Sequence, residues 1–426
     1  MTREEGDSRQ KLHMGRYLVI EEGVTAKSVE RGEQASVRVI RSIPELEALR
    51  SRWTSWQYHP NCDIDRYLAV LRSRPEIVRP HVIVISRDGA PNLILVGRLE
   101  RVPLQARIGY KDVYRPSVRS LSVCYGGILG ELTNSNLALL VQTLRQSLAS
   151  GEADVAWFNS LRLDSPLYPL VAEGSSFMCR DHLPEVNLHW LARLPDSYEE
   201  FVRRLSSNTR HNLRRYCGRL QKVFGTQLAV RCFHEKKDLD KVLSDTEIIA
   251  AKTYQRGLAV GFVNNAEERR LMSLALDHQQ LRAYILYIRD TPCAFWNGLV
   301  YGKTFFTGTT GSDPSYREYR PGTFLLTKVL EDMCQNGAAE NVDFGFGDAQ
   351  YKRDFCDNHW HEASLYMFSP TLKGLALNIV RTSTTAIDKA GRSVLDRTKL
   401  LTGIKRSWRD LLRPDEGGRP SQKEKP

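Results

Sequence analysis

The sequence predicts a mixed α/β (α+β) protein made of two similar units in tandem, each a mixed, mainly antiparallel sheet flanked by helices. Three observations carry that expectation. Two hairpin patterns recur, residues 81–86 and 93–99 around RDGAPN, and residues 282–288 and 294–300 around RDTP. Each hairpin is followed by the same series of strand, helix and short strand. The chain also has 426 residues, more than one ordinary core accommodates.

In order, residues 1–35 are polar and without period, and read as a loose arm. Residues 36–40 alternate as a strand, Pro44 opens a helix through Leu46, Leu49 and Trp53, and residues 64–71 form another. After the first hairpin come a strand at 120–125, a helix at 134–148 and a strand at 155–159, which complete a first domain at 36–178. The second domain, 179–370, opens with a strand at 186–191 and a helix led by Pro195-Asp196-Ser197. Helices at 210–224, 238–254 and 266–279 precede the second hairpin. A strand at 304–309, a helix at 323–335 and strands at 342–344 and 364–368 finish it. Residues 371–426 carry 13 Lys/Arg against 6 Asp/Glu and form a basic, partly helical tail.

With 41% hydrophobic and 26% charged residues, the composition is that of a globular protein rather than a disordered one. The net charge of +11 fits an anionic partner: a nucleotide cofactor, RNA or an acidic membrane surface. Eight cysteines are scattered singly, so reduced thiols are expected rather than a disulfide framework. The N-terminus lacks the apolar stretch of a signal peptide, and no run approaches the ~18 apolar residues of a membrane span. A cytoplasmic or membrane-peripheral location is expected, with the basic tail as the membrane or partner contact.

Three stretches hold candidate site residues. In NVDFGFGDAQYKRDF, residues 341–355, a strand ends at Phe344, Gly345 and Gly347 free the backbone, and Asp348 is expected to cap a helix bearing Tyr351 and Lys352. Asp348 and Lys352 stand four apart, a spacing that also suits a plain local ion pair. In YREYRPGTFLL, residues 316–326, Pro321 starts a helix whose free amides at Gly322 and Thr323, beside Arg317 and Arg320, suit a pyrophosphate; an ordinary Pro-initiated helix reads the same way. Residues 201–234 contain eight Lys/Arg and no acidic residue, with Arg210, Arg214 and Arg215 on a helix. Their charge fits acceptor or cofactor phosphate, RNA, or a solvated face. Cys356, His359 and His361 lack a second ligand cluster, and no metal is expected.

The runs RLSSNTRHNLRRYCGRL, TTGSDPSYREYRPGTFLLTKVLEDM and VDFGFGDAQYKRDF together resemble the CelD-like acetyltransferases associated with cellulose and exopolysaccharide biosynthesis. These belong to the GNAT superfamily and are similar to Fem-type peptidyltransferases, which have two such domains in tandem. The resemblance implies two tandem GNAT-like domains, the N-terminal one degenerate. It implies acetyl-CoA or another acyl-CoA as donor, held at Arg317, Arg320, Gly322 and Thr323, and an amine-bearing small molecule or glycan precursor as acceptor. Tyr351 and Lys352 match the Fem aromatic-lysine pair; an amine attacking a thioester needs a base, charge stabilisation and an acid, for which Asp348 is expected as base or orienter, Lys352 as charge stabiliser and Tyr351 as acid. The (Gln/Arg)-x-x-Gly-x-(Gly/Ala) loop is not intact, since Tyr319 and Phe324 occupy two of its positions. Two alternatives follow: a Fem-like transferase using aminoacyl-tRNA, or a catalytically silent partner of a polysaccharide synthase.

Overall fold

The computed structural model describes residues 35–109, 111–258 and 260–397. The expected arm and the end of the basic tail lie outside the described residues. In the first half, β1 (Ala35–Ile40) leads through α1 (Ile43–Glu47), α2 (Arg50–Trp56) and α3 (Ile64–Ser73) to the hairpin β2 (Ile77–Arg87) and β3 (Ala90–Pro103). The small hairpin β4 (Ala106–Ile108) and β5 (Lys111–Tyr114) precedes β6 (Ser117–Gly130), α4 (Asn134–Ala149), β7 (Val155–Arg162), α5 (Leu167–Ala172) and β8 (Glu185–Arg193). The second half begins with α6 (Tyr198–Arg204), α7 (Ser207–Phe224), β9 (Leu228–Phe233), α8 (Leu239–Ala250), α9 (Tyr254–Gly257) and α10 (Ala266–Asp277). It continues with the hairpin β10 (Leu281–Ile288) and β11 (Thr291–Tyr301), then β12 (Thr304–Ser312), α11 (Pro321–Asn336), β13 (Asn341–Phe346), α12 (Gln350–Phe355) and β14 (Asn358–Phe368). The last described element is α13 (Leu372–Arg397).

Both hairpins close with two-residue turns at the expected places. Asp88 and Gly89 in one, and Arg289 and Asp290 in the other, all have positive φ, between 49° and 79°. Such turns match the right-handed twist of the strands they join. Twelve strands form one sheet in the order β1-β2-β3-β6-β7-β14-β8-β13-β12-β11-β10-β9. From either edge inward the order is the same: three antiparallel pairings, then one parallel pair, β6 with β7 and β12 with β13.

At the centre the halves exchange strands. β14 pairs with β7 of the first half, β8 pairs with β13 of the second, and β8 and β14 pair with each other, all antiparallel. This corrects the expected alignment of the repeat. The sequence sets residues 186–191 against residues 36–40, whereas the counterpart of β1 is β9, and β8 is the counterpart of β14. β9 escapes a reading of alternation because it is a short edge strand, only partly covered, whose run LAVRCF follows a long basic helix. The boundary expected at 178/179 falls just before β8.

Each half of the sheet is covered on both faces. In the second half, Phe324, Leu325, Val329 and Leu330 of α11 pack with Leu213 and Leu220 of α7 over Phe305, Val342 and Phe344. The other face carries α8 and α10 through Val242, Ile249, Met272 and Leu276. The first half has α4 and α5 on one face and α1 to α3 on the other. Outside the sheet α3 meets α10, where Arg74 Nε donates to Glu267 at 2.7 Å.

The helix α13 docks on the first half. Asn378 Nδ2 donates to the carbonyls of Met178 and Arg180, and Arg381 lies over the Tyr366 ring beside Asp181. Leu372, Ile379 and Ile387 stay exposed on it. No helix among the described residues is long and apolar enough to cross a membrane. The strand exchange makes each half's sheet incomplete without the other, so denaturant unfolding followed by far-UV circular dichroism and by tryptophan fluorescence is expected to give one coincident transition. Leu330→Ala, at a fully buried site, is expected to lower its free energy by about 2–5 kcal/mol.

Candidate active site

The strands β12 and β13 run parallel through Thr304/Asn341, Phe305/Val342 and Phe306/Asp343, and then part. A bulge between Asp343 and Gly345 in the pairing with β8 turns β13 away from β12. Gly345 and Gly347 take φ of 66° and 96°, the freedom expected of them at this exit. The fork lies in the sequence stretch singled out above.

The rest of that stretch departs from expectation. Ala349, not Asp348, is the N-cap of α12. The Asp348 carboxylate is on the surface and accepts from Arg353 Nε at 2.6 Å, which holds its pKa below the usual carboxylate range. It makes no pair with Lys352, whose side chain turns inward. Lys352 is buried, and its Nζ donates to the carbonyls of Phe346 at 2.6 Å and Gly345 at 3.2 Å, with burial pulling its pKa down. A six-residue helix places Lys352 against the strand it has just left, which an i,i+4 reading misses. Tyr351 packs edge-on against Trp296 and Phe344, and burial raises its phenol to about 12.

The helix α11 begins as expected at Pro321, but one of its two amides is taken. Thr323 N–H donates to the Arg320 carbonyl at 3.0 Å, because Arg320 is left-handed (φ 55°) and folds its carbonyl over the first turn. No acceptor is found for the Gly322 N–H among the described residues. Arg317 is exposed beside it. The basic helix α7 packs on α11, bringing Arg215 and Arg320 to the same ring, that of Tyr216, at 4.9 and 5.1 Å. Arg214 is exposed, while Arg210 donates to the carbonyls of Arg203 and Leu205 and so finishes α6. Two stretches far apart in sequence therefore form one arginine-rich edge at the α11 start.

The opposite face of the fork holds a cluster that the sequence reading did not find. His189 of β8 is 1% exposed and touches two carboxylates: its Nε2 lies 2.8 Å from Asp343 Oδ1 of β13, its Nδ1 3.3 Å from Glu362 Oε2 of β14. Tyr125 OH and Trp360 Nε1 both donate to Glu362 Oε1, at 2.9 and 2.6 Å. The imidazole stacks on the Trp360 ring at 4.5 Å, 12° from parallel, and the Tyr125 ring lies 9° from parallel to it at 6.0 Å with its hydroxyl 3.3 Å from Nδ1. Burial pulls the His189 pKa down, but the hydrogen bonds and charges of Asp343 and Glu362 outweigh it and raise the group to about 9. Three inner strands each carry a buried ionisable residue, His189 in NLHWL, Asp343 in NVDFG and Glu362 in HWHEA; a lone ionisable residue among apolar neighbours was the available signal in the first two.

Asp343, Glu362, Tyr125 and Trp360 of this cluster line a cleft of about 520 Å³ that both halves build. Tyr125, Asn159 and Arg162 come from the first half, beyond the last parallel β6/β7 pair, Val123/Phe158; Thr304, Phe306 and Asp343 come from the fork. His59, in the connection between α2 and α3, stands edge-on to both Tyr125 and Phe306, and burial lowers its pKa to about 4, so it is neutral. Elsewhere Asp63, Asp65 and His278 bring ligand atoms together, but Asp63 caps α3 and accepts from Tyr301, and Asp65 accepts from Arg50.

A His189 pKa raised from its ordinary 6.5 to about 9 makes the cluster stabilising in full below about pH 6.5, with the contribution lost as the pH rises through about 9. An NMR titration of the His189 ring is expected to show that midpoint, and Glu362→Gln is expected to bring it down. An unshifted midpoint in the variant would contradict the charge assignment.

Residues 207–353 match the model of the family described as acetyltransferase (GNAT) domain. No curated protein matches the chain. Among solved structures it is similar to a conserved protein of unknown function from Bacteroides thetaiotaomicron VPI-5482, with 10% identity over 75% of this chain and 97% of that one and a TM-score of 0.47. It is similar also to FemX, with 11% identity, 77% and 96% coverage and a TM-score of 0.48. A tandem GNAT protein from the clavulanic acid biosynthesis pathway follows, with 10% identity, 79% and 99% coverage and a TM-score of 0.42. The stretch from α7 to α12, which contains both the fork and the arginine-rich edge, is thus the part of the chain that carries the GNAT acetyltransferase match.

Proposed function

We propose that the chain is an acyltransferase that moves an acyl group from acetyl-CoA or another acyl-CoA to an amine. The observation that carries this reading is the fork of β12 and β13 beside the α11 start. There an open Gly322 amide, with Arg317 and Arg320, suits a donor's pyrophosphate, and the parted strands leave room for its thioester arm. An amine-bearing small molecule or glycan precursor reaches the carbonyl from the cleft, in keeping with a CelD-like role in polysaccharide or cell-envelope biosynthesis.

In the reaction the amine nitrogen forms a bond to the thioester carbon, and the oxyanion collapses with loss of the thiolate. The nitrogen becomes strongly acidic only once that bond exists, so a weak base within reach suffices to take its proton. Asp343, at the last paired position of the fork, is better placed for this than Asp348, which Arg353 holds at the surface. On the other face Tyr351, with its phenol near 12, keeps the proton that the leaving thiolate needs. Lys352 is a positioning residue: its ammonium ties down the carbonyls of Gly345 and Phe346 and fixes the course of β13 past the fork.

The exposed arginines of α7 keep a second donor in view, an aminoacyl-tRNA, whose phosphates they would meet. Separate titrations distinguish the donors. Acetyl-CoA at micromolar concentration is expected to raise the melting temperature saturably, and Arg320→Ala to weaken that effect. Asp343→Asn is expected to lower kcat by about 100-fold or more with donor affinity unchanged. Stabilisation by aminoacyl-tRNA but not by acetyl-CoA would overturn the acyl-CoA reading.

A further inference from the structure

The cleft at the centre of the sheet has an unbalanced charge and an open acceptor atom. Of the Asp343 carboxylate, Oδ1 is occupied by His189 Nε2 and by the Gly345 N–H at 2.7 Å. Oδ2 has no partner among the described residues, and Asp343 lines the cleft. Glu362, by contrast, is satisfied by Tyr125, Trp360 and His189. Charge points the same way. Within the cleft lining Asp343 and Glu362 face one imidazolium; the further nearby cation, Lys352, lies outside the lining and is bound to the Gly345 and Phe346 carbonyls. The other lining pair, Arg162 and Asp164, is bound to itself at 2.6 Å. Around the open oxygen stand the aromatic groups Phe306, His59 and Tyr125, with Tyr58 and Trp360 further along the cleft.

We propose that this cleft is a monocation subsite that takes a protonated amine, its ammonium on Asp343 Oδ2 and its apolar or ring-shaped body against Phe306, His59 and Tyr125. A single buried carboxylate charge inside aromatic walls favours a cation over a neutral molecule of equal shape, through charge-assisted hydrogen bonding and the negative faces of the rings. An anionic ligand, or an amine beside a carboxylate of its own, would meet the excess charge with repulsion. The first half of the chain thus supplies ligand recognition, through His59, Tyr125 and the Glu362 contact of Tyr125. The inference deepens the acyl-transfer reading by naming the form in which the acceptor arrives, and rests on that reading only for what happens afterwards: the ammonium gives up one proton to water before its nitrogen can attack, and Asp343 takes the second once the C–N bond has formed.

The test needs no donor. Benzylammonium and benzyl alcohol, of nearly the same shape, are titrated into the full chain while the indole N–H resonance of Trp360 is followed by NMR, with Trp360→Phe to assign it. Benzylammonium is expected to shift that resonance saturably at millimolar concentration, and benzyl alcohol to bind about tenfold more weakly. Asp343→Asn is expected to abolish the preference. Phe306→Leu, which leaves the His189 cluster intact, is expected to weaken ammonium binding by roughly threefold and serves if Asp343→Asn fails to fold. Equal binding of the alcohol, no saturable shift with the ammonium, or a preference that survives both variants would overturn the proposal. If ammonium binds selectively while no donor stabilises the chain, the acyl-transfer reading falls and the cation site stands.

Discussion

The contact between His189 and Asp343 joins the last strand of one half to the split in the other. For the imidazole to reach Asp343 on one side and Glu362 on the other, β8 must lie between β13 and β14, which is the position that strand exchange gives it. The dependence runs both ways. Three ionisable groups on neighbouring inner strands tolerate burial only if they are paired and hydrogen-bonded to one another, and removing one partner of such a set typically costs about 3–5 kcal/mol. A register slip of one residue in β8 would turn His189 to the opposite face and strand both carboxylates without it. The cluster therefore specifies the central pairing of the sheet as well as furnishing the cleft.

The same contact shapes the fork. Asp343 Oδ1 accepts from the Gly345 N–H as well as from His189, so the carboxylate pins the bulge at which β13 turns from β12. Lys352 secures the far side of that turn through the Gly345 and Phe346 carbonyls. Because successive side chains in a strand point to opposite faces, Asp343 looks toward the cleft while Val342 and Phe344 look toward α11. Asp343 and Tyr351, the proposed proton acceptor and donor, are thereby separated by the thickness of one strand, with Tyr351 packed on Phe344. That separation suits a reaction in which one proton leaves the attacking atom and another joins the departing one.

Much of this was legible in the sequence where local chemistry decides it. The two hairpins, the Pro-led start of α11 and the glycine exit after Phe344 all follow from turn residues and backbone freedom. Strand exchange was not legible, because pairing partners are chosen by long-range packing and an alternating strand such as 186–191 fits either neighbour equally. For the same reason the site reading fixed on Asp348, Tyr351 and Lys352, adjacent in sequence, and passed over His189, Asp343 and Glu362, which lie 154 and 173 residues apart from His189 and meet only across the sheet. Lys352 illustrates the limit within a single stretch. Its spacing from Asp348 allowed an ion pair, yet the uncapped carbonyls of a bent strand claimed the ammonium and left Asp348 to Arg353.

The two halves repeat one topology but differ at the equivalent helix starts, and the difference assigns them different work. At α4 the Thr133 hydroxyl accepts from the Asn136 N–H, Asn136 Nδ2 donates to the Glu131 carbonyl, and Arg87 donates to Ser135 and Asn136. A phosphate there would have to displace a cap. At α11 the start has no side-chain cap, Gly322 leaves space, and Arg215, Arg317 and Arg320 gather around it. If the proposed function holds, an anionic donor would sit at the α11 start rather than at the capped α4 start. The first half has kept instead the residues that face the shared cleft: Tyr125 beyond its own fork and His59 in the loop that crosses to Phe306. Under the proposed function, the second half would hold the donor and the first half would serve acceptor recognition at the shared cleft.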